Sequence, residues 1–158
     1  MKETNLKWID FEGNKPSNTN IWDALWLRNN VTAIKNDIEI NEKDITFNDN
    51  SGTAKLSTKG SNLETKTLEL KFIKDTRTKI EDIIKQKNLG EITGKNDKVT
   101  KDDIWSAISK QVTNSNLKKE DIYIMIISDS SAKIITSSID NENFRGGVSV
   151  TFTYKKLI

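Results

Sequence analysis

The side chains able to do chemistry in this 158-residue chain are carboxylates, lysines and hydroxyls, because it contains no histidine and no cysteine. That composition removes imidazole general bases, thiol nucleophiles, disulfides and the usual zinc ligand sets. Paired carboxylates could still perform acid–base work, provided two of them face one another in contrasting environments. The acidic residues fall instead at expected helix starts and strand-edge turns, as at Asp102-Asp103 and Glu120-Asp121. There they complement a helix dipole and keep the surface solvated. No catalytic residue is assigned, and the chain is not expected to be an enzyme. Asn48-Asp49-Asn50-Ser51-Gly52 is oxygen-rich, yet it lacks the ligand order and the distal Glu of a calcium loop. It reads as a hairpin turn. Neither a metal nor a cofactor is expected.

What remains is contact chemistry. The 25 basic and 23 acidic residues nearly cancel, giving a net charge of +2. They are interleaved, as in Lys118-Lys119-Glu120-Asp121, so no basic face of the kind nucleic acid requires is expected. Lys, Asn and Ile are heavily used while Arg appears only at Arg28, Arg77 and Arg145, a bias that AT-rich codons impose. No apolar run approaches the ~20 residues of a membrane-spanning helix, and no apolar leader follows Met1-Lys2-Glu3. Read as written, the chain would be cytoplasmic.

The elements that must position any contact residue come in two similar sets. Asn20-Ile21-Trp22-Asp23-Ala24-Leu25 lines up with Asp103-Ile104-Trp105-Ser106-Ala107-Ile108. The same spacing pairs Asn5-Leu6 with Asn88-Leu89 and Ser17 with Thr100; further on, with small shifts, Leu68 to Phe72 pairs with Val148 to Phe152. Self-similarity at a fixed period marks a repeat. The second copy reads as a helix over 75–87 that Gly90 terminates, then a second helix capped by Thr100 and running to Val112. Three antiparallel strands follow, over 122–127, 132–139 and 147–155, of which the first, a continuous apolar run, is expected to be buried. The first copy shows one helix over 20–28 and strands near 44–48, 53–58 and 66–73, with no opening helix. The expected fold is α+β: two tandem repeats, residues 1–73 and 74–158, each of one or two short helices on a three-stranded antiparallel sheet. The missing helix suggests a chain cut from a longer precursor.

The motif Lys79-Ile80-Glu81-Asp82-Ile83-Ile84, followed by Asn88-Leu89-Gly90-Glu91-Ile92, Ile104-Trp105-Ser106-Ala107-Ile108 and Gly146-Gly147-Val148-Ser149-Val150-Thr151-Phe152, resembles the repeats of mollicute surface lipoproteins, the spiralin-type and adhesion-related proteins. The resemblance implies a non-catalytic binding module at the cell surface, contacting a host surface protein or glycan. It also implies a lipid anchor, absent from these residues, as the only link to a membrane. The alternative is an intracellular interaction or inhibitor module working through exposed sheet edges.

The repeat also sorts the aromatic residues. Trp22 and Trp105 are equivalent and are expected to anchor the two cores. Trp8 and Trp26 have no aromatic counterpart, since Glu91 and Ser109 stand there. Positions that packing does not require are free to make contacts, and Trp and Arg are the side chains most enriched at binding hot spots. Trp8, Trp26, Arg28 and Arg145 are therefore the candidate binding residues.

Overall fold

A computed structural model describes residues 3–29, 38–58 and 67–158. They form a mixed α+β protein, mostly sheet, that divides into two compact units, one ending at Thr76 and the other spanning Arg77–Ile158. The repeat-based boundary lies between Ile73 and Lys74. None of the described helices is long and apolar enough to cross a membrane.

In the first unit, strand β1 (Asn5–Ile9) is followed by helix α1 (Asn18–Asn29), then β2 (Ile38–Ile40), β3 (Thr46–Asn48), β4 (Ser51–Thr58) and β5 (Thr67–Lys74). Lys66, the first residue of the expected third strand, lies outside the described residues. The sheet runs β1-β5-β4-β2, with β3 also on β4. Ser17 starts α1 with a reciprocal cap: its hydroxyl accepts from the Asn20 amide at 3.2 Å, and its own amide donates to Asn20 Oδ1 at 2.9 Å. Ile21, Ala24 and Leu25 then bury one helical face against Leu6, Ile9, Leu70 and Phe72.

The second unit comprises β6 (Thr78–Lys79), a four-residue helix α2 (Ile80–Ile83), β7 (Asn88–Gly94), α3 (Lys101–Val112), β8 (Ile122–Ser128), β9 (Ser131–Thr136), β10 (Phe144–Arg145) and β11 (Gly147–Lys156). Its main sheet runs β7-β11-β9-β8, while β6 and β10 form a separate two-stranded pair. Thr100 and Asp103 form a capping box on α3, which buries Ile104, Ile108 and Val112 in a core with Ile134, Val150 and Phe152. Near the end of β11, the Tyr154 hydroxyl donates to the Asn96 carbonyl at 2.8 Å. Gly94 makes room for it, since an added Cβ would lie 2.5 Å from the phenol oxygen. Partial burial, and then the Asp103 carboxylate, hold that phenol above its usual pKa.

Two expectations are corrected. The sheets are not three-stranded and purely antiparallel: the first has five strands and the second four, and in each one strand, β1 or β7, pairs in parallel with the last strand of its unit. The supposed opening helix over 75–87 is one turn, because its continuation finds other partners. The Gln111 side chain donates to the Gln86 carbonyl at 3.1 Å and accepts from the Gln86 amide at 3.0 Å. Beyond it the Thr151 amide binds the Lys87 carbonyl, so the chain enters the sheet before a second turn can close. Gly90 accordingly sits in a strand, and Leu6, its neighbour's counterpart in the first unit, sits in a strand as well.

Candidate interaction surfaces

The sequence-selected contact residues do not converge. In the first unit, Trp26 and Leu27 lie near the end of α1, 53% and 58% exposed. Arg28 follows them, half-buried and engaged with neighbouring groups. This helix end is pinned beside the start of β1, where the Glu3 amide donates to Asn29 Oδ1 at 2.9 Å and Asn29 Nδ2 returns a bond to the Glu3 carbonyl at 3.0 Å. Trp8 stands at the other end of β1, paired with Ile73 on the sheet face opposite the core. Helix α1, by contrast, packs on the core face of that sheet. Trp8 and Trp26 therefore belong to two surfaces.

Arg145 lies in the second unit and has a structural partner. Its Nε donates to the Arg77 carbonyl at 3.2 Å, while Arg77 Nη1 donates to the carbonyls of Ile139 and Asn141 at 2.9 and 2.7 Å. The two arginines tie β6 to β10 and the loop before it. Trp22 and Trp105 are half-buried, each packed against the core of its own unit.

Three features escaped the sequence reading. On the open face of the first sheet, Asn5, Lys71, Thr53 and Thr46 stand in one cross-strand row. They line a shallow hollow of about 470 Å³ together with Asn48 and Ser51. Thr46 and Thr53 satisfy each other there at 2.8 Å.

The second feature is a matched kink in the parallel strands. Lys7 has φ 56° and Gly90 has φ 73°, and each amide is held at 3.0 Å by the Asn two residues before it, Asn5 or Asn88. Both coincide with a register shift against the last strand.

The third is β8. It was expected to be buried, but it is an edge strand of the second sheet. Ile122 and Ile124 reach the core, whereas Tyr123 (47%), Met125 (42%) and Ile127 (62%) are exposed on the other face. A continuous apolar run carries no periodicity from which its position in a sheet can be read. Lys101 Nζ lies 4.2 Å above the Tyr123 ring, and Lys133 stands opposite Met125 on β9.

Several acidic groups serve the scaffold: Asp103 caps α3, Asp121 accepts from Asn141 Nδ2 at 3.0 Å, and Asp102 pairs with Lys119. Among the described residues, no group of three acidic side chains gathers as a metal site would require. No protein-family model matches the chain, and no curated protein matches it significantly.

Proposed function

We propose that this chain is a non-catalytic binding module of a mollicute-type surface lipoprotein or adhesin, contacting a protein or glycan on the host cell surface. It works through contact area. The observation that carries the reading is the adjacent pair Trp26 and Leu27, each more than half exposed on a helix whose core face is already filled by Ile21, Ala24 and Leu25. Leaving about half of each of two large apolar side chains in water forgoes roughly 1–2 kcal/mol apiece that full burial would supply, and tryptophan is the commonest anchor of binding hot spots. The equivalent position on α3 is Ser109, so packing within the unit does not demand an aromatic at Trp26. We also read the two units as copies of one β-α-β-β-β element, each with its first strand parallel to its last. Aligned tryptophans, caps and kinks support that reading.

Binding of the purified chain to host-cell membranes, compared with Trp26→Ala and Leu27→Ala forms of unchanged melting temperature, tests the proposal. Trp26→Ala is expected to weaken binding at least tenfold, the loss typical of an anchor. Absence of binding by the unaltered chain, or equal binding by both variants, would overturn it. The exposed edge β8 favours a second reading, an interaction module acting through strand pairing.

A further inference from the structure

We propose that β8 is a self-association edge, at which two copies of this chain pair antiparallel about a two-fold axis centred on Ile124. The direction of its free backbone groups follows from the ladder beside it. The Ser137 amide binds the Asp121 carbonyl at 2.9 Å, and on the other side of β9 the Thr136 amide binds the Gly146 carbonyl at 3.2 Å. Antiparallel pairs alternate between bonded and non-bonded, so Tyr123 and Met125 turn their amides and carbonyls toward β9. Ile122, Ile124 and Ile126 turn theirs outward. Among the described residues, those outward groups face no strand, because β8 ends the sheet.

From Ile122 to Ser128 the strand carries no charge and no proline. Such residues are what normally keep an exposed edge from pairing. The other described edge strands differ: β7 carries Glu91, β1 carries Lys7, and β2 and β3 span three residues each.

The occupant is a second β8 because the strand complements itself. Centred on Ile124, the two-fold sets Ile122 against Ile126 and Ile124 against its own copy, so outward groups meet outward groups. Tyr123 then faces Met125 of the other copy at a non-bonded pair, where side chains approach most closely. Charge agrees with this register. It sets Asp129, beyond one end of the strand, opposite Lys119 of the other copy and one place from Glu120, twice by symmetry; Lys119 also pairs with Asp102 of its own chain. The register centred on Met125 would instead oppose Asp121 and Asp129 at both ends, a like-charge arrangement that destabilises a ladder. The resulting interface is isologous and closed, as in the commonest soluble oligomers.

The test combines mass with register. In light scattering across rising concentration, the full chain is expected to pass from 18.0 kDa to twice that mass. Ile126→Pro, which removes an outward amide without touching the bonds to β9, and Ile127→Glu, which sets a carboxylate against Asp121 of the other copy at both ends, should both halve the mass at the same concentration while keeping the native melting profile, since Ile127 is exposed. Because the chain has no cysteine, single thiols report the register. Tyr123→Cys mixed with Met125→Cys should form the crossed disulfide dimer in preference to either self-linked species. A chain that stays at the single mass at every concentration would overturn the proposal. So would a dimer unaffected by the β8 substitutions, or preferential self-linking of Met125→Cys.

Discussion

A left-handed backbone at a residue other than glycine marks stored strain, typically 1–3 kcal/mol. Lys7 is such a residue, at φ 56°, while Gly90 takes the matching place in the second unit at φ 73° without strain. In both, an Asn two residues earlier captures the kinked amide. The kink is thus built from a short polar side chain and a permitted φ. Lys7→Gly would relieve the strain, at the cost of glycine's extra freedom in the unfolded chain and of the Lys7 ammonium 5.9 Å from the Trp8 ring. The expected net effect is a gain of roughly 0.5 kcal/mol in urea unfolding. Gly90→Ala meets no atom within 4 Å, so its expected loss of about 1–2 kcal/mol would measure the backbone conformation alone. A neutral Gly90→Ala would show that the kink is not under conformational constraint. Asn5 and Asn88 were aligned in the sequence. Their role was not legible there, because an Asn two residues before a Lys has no distinctive spacing until the strand is known to bend.

Elements with local signals were read well from sequence. Helix α3 begins where Thr100 and the following acids say it should, because capping is settled within one turn. The Asp103 carboxylate accepts from the Thr100 hydroxyl at 2.7 Å and from its amide at 2.8 Å, closing the box. Thr100→Ala is expected to cost about 1 kcal/mol, and Ser17→Ala on α1 a similar amount; denaturant midpoints at constant slope would check both. A loss near zero at either site would mean the cap is replaced by water. The segment after Ile84 shows the opposite case. Ile80, Ile83 and Ile84 have helical spacing, yet the Gln111 side chain and the last strand claim the backbone groups that a helix would use. Both partners are distant in sequence, so no local pattern announces them. The same holds for the parallel pairing of β1 with β5 and of β7 with β11.

On the scale of the whole chain, each unit holds its own core: twelve buried apolar residues in the first cluster and sixteen in the second, among those described. Small domains stand or fall with the surface they bury. Residues 77–158 alone are therefore expected to melt cooperatively, and residues 1–76 to melt at a lower temperature; calorimetry of the two pieces decides it. A first unit melting above the second would show that core size does not set the order. The sequence by itself determined the α+β class, the capped start of α3 and the strands around Leu68–Phe72 and Val148–Phe152. All of these are consequences of periodicity and capping within a few residues. Only the tertiary structure decided which strand closes each sheet, that Trp8 and Trp26 lie on separate surfaces, and that the apolar run of β8 stands at an edge. Those outcomes depend on pairing between residues far apart in the chain, and an uninterrupted apolar strand reads the same whether one neighbour flanks it or two.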